Sequence, residues 1–560
     1  MDQQDDDAFI SSLFYKTSNW LPNTPWLSVD EFNTKISQLY PALTQQLKEG
    51  YERLWDYLTM EEFRKMVEEL ENESHSIQKY PELALDATVR RDSNLSRQET
   101  DYLVKRKRFQ KTAFARLIGR DPSEIDERDL PVIGIASSGG GYRAMIGLTG
   151  YLNAFKQTGV WDCSLYLSGI SGSCWAMSLY YNPFIIRADT ERLREHLKEK
   201  CQVHWANMSN FLHTLTLSPE HTKAMIRGII QRGQRAHLVD VFGALMGSRL
   251  FNNPEMSTGL SSQQKWLENG QEPMPIYCVV RHMVENDQSD VYQWFEFTPY
   301  DMGCEELEAW IPTWAFGRRF QENKNMERLP EQSLDIMNGT FGSAFAASLV
   351  HFYQEIRSFL PKGALEKMDQ VVKQYELSMS NIHPISPSSF PNPFGTEDLQ
   401  LMDAGMDNNI PFYPLLRQGR DVDIILAVDL SADIQTAPHF KRAESYMKRR
   451  GIEGWPKDAR WPSDEMLGSC TVFEGQATGD QTRPITLIYF PFILNEAYDS
   501  QFDPQTAEFC STWNFVYKQD QVDKVIGLAE ANVNQNIEKI RKVLLEAWQR
   551  KKKQRLLLTK

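Results

Sequence analysis

The stretch Val132-Ile-Gly-Ile-Ala-Ser-Ser-Gly-Gly-Gly-Tyr-Arg-Ala-Met145 decides the fold, because a glycine-rich loop joins its strand-like half to its helix-like half. Residues 132–136 form the short apolar run that is typical of a buried strand. The three glycines at 139–141 lack a Cβ, so their backbone N–H groups can converge on one point. Such a loop can hold a phosphate or a developing oxyanion.

The residues around these glycines separate the possible ligands. A phosphate-binding P-loop needs Gly-Lys-Ser/Thr after the glycines, whereas this chain has Gly-Tyr-Arg. The spacing also fails the Gly-x-Gly-x-x-Gly pattern of dinucleotide sites. An oxyanion site is therefore favoured, with Gly140 and Gly141 as the predicted donors. Arg143 then lies at the mouth of this site, where its planar guanidinium suits a phosphodiester; a structural salt bridge is the alternative.

A second loop, Gly169-Ile-Ser-Gly-Ser173, follows the strand-like residues 164–167 and precedes an apolar helix-like segment. Gly169 permits a tight strand-to-helix turn, and Gly172 leaves room for an acyl chain to approach. The motif is Gly-x-Ser-Gly-Ser and not the Gly-x-Ser-x-Gly of α/β-hydrolases. A serine on such a turn beside an oxyanion loop is what acyl transfer needs, so Ser171 is the predicted nucleophile.

Asp403 is the residue that we expect to act as the base. It lies in Leu401-Met-Asp-Ala-Gly-Met-Asp-Asn-Asn-Ile-Pro411, ahead of the strand-like residues 423–429. A free aspartate, with a pKa of about 3.9, is a weak base at neutral pH. It can still serve if it contacts the serine hydroxyl while an oxyanion hole provides most of the rate acceleration. The alternative is a triad in the chain order Ser171, Asp403, His439.

Five motifs, in this order along the chain, resemble the catalytic domain of the cytosolic (group IV) phospholipases A2. The similarity extends from about residue 95 to about residue 550. The motifs are Ser138-Gly-Gly-Gly-Tyr-Arg-Ala-Met145, Gly169-Ile-Ser-Gly-Ser-Cys-Trp175, Phe295-Glu-Phe-Thr-Pro-Tyr300, Gly342-Ser-Ala-Phe345 and Met402-Asp-Ala-Gly405.

The resemblance implies a patatin-like α/β fold, a three-layer core with a central, mostly parallel sheet. It also implies a Ser171–Asp403 dyad with no histidine base, Gly140 and Gly141 as oxyanion donors, and Arg143 as the phosphate contact. The expected reaction is hydrolysis of the sn-2 acyl ester of glycerophospholipids through an acyl-serine, with lysophospholipids as further substrates. A lysophospholipid acyltransferase using the same dyad and a non-catalytic lipid-binding protein are the alternatives.

The sequence predicts three regions. Residues 1–95 are a helical N-terminal extension, in which Ser28 with Glu31 and Thr59 with Glu62 match capping boxes. Residues 96–550 are the catalytic domain, whose Pro/Ser-rich segment 353–398 is a lid or cap. Residues 551–560 are a basic tail, expected to fray into solvent. Many relatives in the family carry a calcium-binding C2 module, but residues 1–95 lack its alternating strands and aspartate loops.

Charge and composition limit the possible partners. The net charge of −14 argues against nucleic acid as a partner and against general attraction to an anionic bilayer. Membrane contact is therefore expected to be local and transient, with the basic residues 105–116 and the C-terminal tail as candidates. No run is long enough to span a bilayer. We expect a cytoplasmic protein with peripheral membrane association, without a metal or cofactor; its oligomeric state is open. The seven scattered cysteines predict free thiols.

Overall fold

The computed structural model describes residues 61–205, 219–232, 238–251, 258–283, 291–344, 388–395, 398–432, 434, 439–456, 467–476 and 483–558. The predicted capping residues Ser28, Glu31 and Thr59 lie outside the described residues, as does most of the predicted lid 353–398. The chain divides into two compact units. The smaller one comprises residues 1–89, 203–260 and 314–402, and the larger one residues 90–202, 261–313 and 403–560.

Ten strands of the larger unit lie side by side in one sheet. In chain order they are β1 (Arg90–Arg91), β2 (Ile133–Ser137), β3 (Tyr166–Gly169), β4 (Met274–Met283), β5 (Val291–Phe297), β6 (Asp301–Cys304), β7 (Ala309–Pro312), β8 (Ile424–Asp429), β9 (Thr471–Glu474) and β10 (Thr486–Pro491). Their order across the sheet is β1-β7-β6-β5-β4-β3-β2-β8-β10-β9.

The centre of this sheet is parallel. Strands β4, β3, β2, β8 and β10 pair in parallel, and antiparallel strands flank them on both sides. Strands β2, β3, β8 and β10 are buried along their whole length, as expected for apolar runs covered on both faces. The predicted α/β class is confirmed, and the strands expected at 132–136, 164–167, 276–280, 424–428 and 485–490 all overlap observed strands.

Nine α-helices accompany the sheet in the described part of the larger unit. They are α1 (Arg97–Leu117), α2 (Gly141–Thr158), α3 (Val160–Cys163), α4 (Gly172–Tyr180), α5 (Thr190–Lys200), α6 (His439–Arg450), α7 (Glu496–Asp499), α8 (Gln519–Asn534) and α9 (Ile537–Leu558). Helix α2 is buried over its first four turns and packs against α8. Gly150 makes this approach possible, because a Cβ there would lie 2.8 Å from that of Ala529 and still closer to the Ile526 carbonyl.

The smaller unit contains the helices Glu61–Ser74, Pro219–Arg232, Leu238–Leu250 and Leu334–Phe341. The last two cross at Gly243 and Gly339, where a Cβ on Gly339 would lie 2.9 Å from the Gly243 Cα. Strand Phe320–Gln321 pairs with Lys324–Asn325, and strand Ser388–Phe390 with Leu399–Asp403.

Short 3-10 helices occur in both units. Those in the described residues are Pro81–Ala84, Pro122–Glu124, Glu127–Asp129, Leu260–Trp266, Glu305–Leu307, Thr313–Ala315, Ala404–Met406, Tyr413–Leu416 and Glu508–Cys510.

A buried ion cluster explains the motif Phe295-Glu-Phe. Arg420 binds Glu99 through two nitrogens, at 2.8 and 3.2 Å, and also contacts Glu296. Arg417 donates to the other oxygen of Glu296 at 2.5 Å. The Arg420 guanidinium keeps the pKa of Glu99 below its usual value, although burial alone would raise it. The cluster thereby fastens α1 to β5 and to the loop before β8.

The two basic segments are anchored to the protein. Arg106 is buried in the first segment, and its guanidinium donates to the carbonyl oxygens of Ser164, Trp161, Gly270 and Gln271. At the C-terminus, α9 continues to Leu558.

Two ion pairs fix the end of this helix. Arg555 pairs with Asp129 at 2.6 and 2.8 Å, and Lys551 with Asp423 at 2.6 Å. The expectation of a frayed tail from residue 551 is therefore wrong for residues 551–558, because these two cations have carboxylate partners on the folded unit.

Two further expectations concern cysteines and membrane spans. All seven cysteines lie within the described residues, and each is a buried free thiol, so the prediction of reduced thiols is confirmed. Among the helices of the described ranges, none has both the length and the apolar character that crossing a membrane requires.

Candidate active site

Ser171 lies on a sharp turn between β3 and α4. Strand β3 ends at Gly169 and α4 begins at Gly172, so Ser171 is the residue at the N-terminus of the helix. Its backbone has φ 52° and ψ −126°, a region that residues with a side chain rarely adopt. Such conformations persist only where the surrounding structure enforces them, and they cluster at functional sites. The turn buries the side chain, which is 3% exposed.

Asp403 contacts the Ser171 side chain directly. It ends the strand Leu399–Asp403, is 2% exposed, and accepts a hydrogen bond from the Gly405 N–H at 2.9 Å. The Ser171 hydroxyl donates a second hydrogen bond to the same carboxylate. Burial raises the pKa of Asp403 to about 6, and the two hydrogen bonds oppose that rise only in part. The structure therefore brings together the two residues that the sequence predicted as nucleophile and base.

His439 takes no part in this contact. It is the first residue of α6, its ring is buried, and its backbone carbonyl accepts a hydrogen bond from Asn408 Nδ2 at 3.1 Å. The groups that set the pKa of Asp403 are the Gly405 N–H and the Ser171 hydroxyl, together with burial; no histidine of the described residues is among them. The Ser171–Asp403 dyad without a histidine base stays a prediction, and these partners of Asp403 are compatible with it.

The glycine loop presses against Ser171. A Cβ on Gly139 would lie 2.9 Å from the Cβ of Ser171. The Gly139 N–H donates to the Asn409 carbonyl at 3.3 Å and is therefore engaged. Gly140 (φ 141°) precedes α2 and Gly141 (φ 60°) is its first residue, so neither N–H serves the helix ladder.

These two N–H groups also lie at the positive end of the α2 dipole, which favours a negative charge nearby. The dihedral angles of both residues are ones that glycine alone adopts readily. Their identity as oxyanion donors stays a prediction, and the loop geometry is compatible with it.

Arg143 is buried in the first turn of α2, directly after the glycine loop. Its Nε donates to the Leu430 carbonyl at 2.8 Å, and its Nη1 to the Cys510 carbonyl at 2.6 Å and to Thr512 Oγ1 at 3.2 Å. Its Nη2 lies beside Gly140, 2.7 Å from where a Cβ on that glycine would be. The guanidinium thus packs against the glycine loop, next to the predicted oxyanion donors.

The sequence did not reveal four residues that hold the loop in place. Asn409 Nδ2 donates to Ser431 Oγ at 2.6 Å and to the Gly139 carbonyl at 3.4 Å. The Ser431 N–H donates to Asp429 Oδ1 at 3.0 Å, and the Tyr489 hydroxyl donates to Asp429 Oδ2 at 2.6 Å. This chain of hydrogen bonds connects β10, the end of β8 and the glycine loop. The one feature of the sequence that pointed to these residues was the polar run after Asp403, which contains Asn409.

Among the described residues, no group of three or more His, Cys, Asp or Glu side chains is arranged to hold a metal ion. The expectation of a reaction without metal or cofactor stays a prediction.

The fold and these contacts define a class of protein, α/β proteins with a serine–aspartate pair beside a glycine-rich helix N-terminus. A family model described as "Lysophospholipase catalytic domain" matches residues 133–445, which include Ser171, Asp403, Gly140, Gly141 and Arg143. The chain therefore belongs to this family, and the resemblance to the cytosolic phospholipases A2 is confirmed.

Known relatives agree with this assignment. The chain is 27% identical over 546 residues to human cytosolic phospholipase A2 zeta, and 25% identical over 539 residues to mouse cytosolic phospholipase A2 delta. These alignments cover 83% and 80% of this chain but only 62% of each relative, so the chain spans about three fifths of their length.

Solved structures show the same fold. Human GIVD cytosolic phospholipase A2 aligns with a TM-score of 0.66 at 23% identity, over 82% of this chain and 68% of that one. The structure of its complex with methyl gamma-linolenyl fluorophosphonate inhibitor and terbium chloride aligns with a TM-score of 0.63 at 25% identity, over 83% of this chain and 66% of that one.

Proposed function

We propose that this protein is an interfacial serine esterase that hydrolyses the sn-2 acyl ester of glycerophospholipids, and also lysophospholipids, through an acyl-serine. The pairing of Ser171, on its strained strand-to-helix turn, with the buried Asp403 carboxylate is the observation that carries the proposal. A serine whose hydroxyl donates to a buried carboxylate can lose its proton to that carboxylate as it attacks. The family supports the substrate class, since its relatives are named phospholipases A2.

In the first step Ser171 Oγ attacks the ester carbonyl and its proton passes to Asp403. The carbonyl oxygen becomes an oxyanion, which the Gly140 and Gly141 N–H groups stabilise together with the α2 dipole. The intermediate collapses with cleavage of the ester C–O bond, and the lysophospholipid alcohol leaves with the proton from Asp403. Water then gives a proton to the same carboxylate as its oxygen attacks the acyl-serine. When this second intermediate collapses, the bond between Ser171 Oγ and the acyl carbon breaks, the proton returns from Asp403 to Ser171 Oγ, and the fatty acid leaves.

Arg143 has the proposed role of contacting the substrate phosphate. The location of Nη2 beside Gly140 supports this role, because a headgroup next to the oxyanion would lie within reach of that nitrogen. The burial of the guanidinium supports a fixed, preoriented contact. Its hydrogen bonds to the Leu430 and Cys510 carbonyls also stabilise the local structure. Arg143→Ala would therefore disturb the glycine loop as well as weaken binding of the substrate headgroup.

The decisive experiment uses phosphatidylcholine vesicles with distinguishable sn-1 and sn-2 chains, in excess chelator. We expect wild type to release the sn-2 acid and Ser171→Ala to release none. Ser445→Ala, which replaces an exposed serine on α6, should behave as wild type. Release of the acid by Ser171→Ala, or none by wild type in the presence of any phospholipid or lysophospholipid, would contradict the proposal.

A long-chain fluorophosphonate tests the nucleophile independently of the substrate. Ser171 Oγ would bond to phosphorus with loss of fluoride, and intact-mass analysis should show one adduct on wild type. Ser171→Ala should show no adduct, whereas Ser445→Ala should show one. Labelling at another serine would contradict the assignment of Ser171.

The same acyl-serine could pass its acyl group to an alcohol in place of water. Adding a lysophospholipid acceptor to the vesicle assay would reveal this, because diacyl product would then form at the expense of free fatty acid. We expect hydrolysis to dominate. We also propose that the protein catalyses this reaction at the cytosolic surface of a membrane, to which it binds transiently.

A further inference from the structure

Residues 510–517 connect the candidate site to an exposed apolar surface. They begin with the last residue of the 3-10 helix Glu508–Cys510, precede α8, and belong to the larger unit. Two of them bind Arg143, since its Nη1 donates to the Cys510 carbonyl at 2.6 Å and to Thr512 Oγ1 at 3.2 Å. This segment, which we name the 510–517 loop, therefore helps to hold the guanidinium in place, together with the Leu430 carbonyl.

The 510–517 loop makes a second contact next to the first. Phe515 is buried, and its ring packs edge-on against Tyr142, with centroids 5.1 Å apart and an interplanar angle of 79°. Tyr142 and Arg143 are consecutive residues of α2, directly after Gly140 and Gly141. A displacement of the loop would thus act on the first turn of α2 at two adjacent side chains.

The opposite side of the loop faces solvent with two apolar side chains. Trp513 is 58% exposed and Val516 is 40% exposed. The turn between them is fixed by Asn514, whose Nδ2 donates to the carbonyls of Phe509 and Val516, both at 2.8 Å. Asn514 Oδ1 also accepts from the Val516 N–H at 3.2 Å. The loop therefore holds Trp513 and Val516 outward with a rigid, internally bonded backbone.

Such a pair fits a phospholipid surface. Fully burying a large apolar side chain gains about 1.5–3 kcal/mol, and part of that gain is unrealised at these two positions. Tryptophan favours the bilayer interface because its ring is apolar and its N–H is polar. The net charge of −14 gives the protein no general attraction to anionic lipid, so an apolar anchor suits a zwitterionic surface better than a charged one. Lys518, two positions after Val516 in the chain, is exposed, and its ammonium group suits the phosphate of such a headgroup.

We propose that Trp513 and Val516 insert into the interface of a phospholipid membrane, and that this insertion acts on Arg143 through Cys510 and Thr512. The inference rests on the proposed function, since the surface to which the protein docks then also holds its substrate. It goes beyond that function by naming the residues that dock and the bonds that link docking to the site.

The test measures binding and turnover separately. Binding to phosphatidylcholine vesicles is measured by sedimentation in the Ser171→Ala background, where no lipid is consumed. We expect Trp513→Ala with Val516→Ala to weaken binding about tenfold or more, equally at low and high salt. Turnover of vesicle lipid should fall with binding when Ser171 is intact. Turnover of a water-soluble short-chain ester should stay as in wild type, because that substrate needs no docking.

Leu557→Ala is the matched control, since this side chain is 63% exposed on α9 and also apolar. Unchanged vesicle binding of the Trp513/Val516 variant would overturn the proposal. So would an equal loss in Leu557→Ala, which would show that exposed apolar side chains in general are responsible. If turnover of the short-chain ester fell as much as turnover of vesicle lipid, Trp513 and Val516 would support the folded structure and not membrane docking.

Two remaining outcomes separate the proposals. A change in oligomeric state on Trp513→Ala, with vesicle binding unchanged, would identify a protein contact and overturn the membrane anchor. If wild type turns over neither vesicle lipid nor short-chain ester, the proposed function fails. The binding measurement in the Ser171→Ala background would still decide whether the anchor exists.

Discussion

At the scale of single residues, the site depends on strained backbone and on a buried carboxylate. Ser171 occupies a positive φ that only its surroundings can enforce, since β3 ends before it and α4 begins after it. Asp403 is held by the Gly405 N–H and the Ser171 hydroxyl in a setting that favours its neutral form. The chemistry that we propose requires the ionised form of Asp403, so activity and stability should respond to pH in opposite directions.

The pH profile of turnover follows from the Asp403 pKa of about 6. A protonated carboxylic acid cannot accept the Ser171 proton, so kcat on a water-soluble ester should rise as the pH increases through about 6 and then level off. As a control, enzyme that is exposed briefly to pH 5 and then returned to neutral pH should recover its full activity. A midpoint near the ordinary aspartate value, below 4.5, would contradict the role of burial.

Asp403→Asn should raise stability while removing activity. Because the pKa in the folded state lies above the unfolded value, the neutral form stabilises the fold, and this contribution is lost as the pH rises through about 6. Asparagine stays neutral, so at pH 8 the variant should be more stable than wild type by about 3 kcal/mol. The difference should vanish towards pH 4. A variant less stable than wild type at pH 8 in thermal unfolding would show that burial is not the dominant cause.

Gly172→Ala tests the close packing of the two loops. A Cβ at this position would overlap the Gly141 carbonyl oxygen, a backbone atom that cannot move without distorting the oxyanion loop. We expect a loss of about 1–3 kcal/mol in stability and a large fall in kcat. Gly468→Ala is the control, because its nearest neighbour would be 3.9 Å away. Equal melting temperatures and equal turnover for the two variants would contradict this account.

At the scale of elements, the carboxyl ends of β2, β3 and β8 place the site. Parallel neighbours end at the same edge of a sheet, so the glycine loop after β2 and the serine turn after β3 meet there. The residues after β8 then fix the glycine loop, since the Leu430 N–H donates to Ser138 Oγ at 2.6 Å while its carbonyl accepts from Arg143.

Ser431→Ala should lower turnover without unfolding the protein. Asn409 loses its 2.6 Å partner and with it part of its hold on Gly139, so the oxyanion loop becomes less well positioned. We expect kcat to fall about tenfold with little change in KM, and stability to fall by about 1 kcal/mol. The pH midpoint should stay at that of wild type, because Asp403 is untouched. An unchanged kcat, as in the control Ser445→Ala, would show that Asn409 holds the loop without Ser431.

At the scale of the whole molecule, one cluster of buried charges connects separate elements of the larger unit. Arg420, Glu99 and Glu296 are all buried in the larger unit, and each relies on the others for compensation of its charge. An exposed pair such as Arg128–Asp126 contributes little by comparison. The family's Phe295-Glu-Phe motif therefore serves the integrity of the fold.

Arg420→Met should destabilise the larger unit by about 3–5 kcal/mol, because it leaves two buried carboxylates without their shared cation. Urea unfolding at pH 7 would measure the loss. Adding Glu99→Gln should restore part of it by removing one of the two charges. Arg128→Met, which breaks the exposed pair with Asp126, should cost less than 1 kcal/mol. A loss for Arg420→Met no larger than that of the control would contradict the importance of the cluster.

The sequence by itself determined the α/β class, the strands that carry the site, and the candidates Ser171, Asp403, Gly140 and Gly141. These follow from local patterns, since apolar runs specify buried strands and glycines specify the loops between them. Only the tertiary structure decided that Ser171 contacts Asp403 and that His439 is not among the groups that set the Asp403 pKa, because more than 230 residues separate Ser171 from Asp403 along the chain. The same holds for Arg106, Arg555 and Asn409, whose partners are distant carbonyls, carboxylates and hydroxyls. The sequence shows how many lysines and arginines a helix carries. Which of these side chains are exposed to solvent depends on the residues that pack around the helix in the fold.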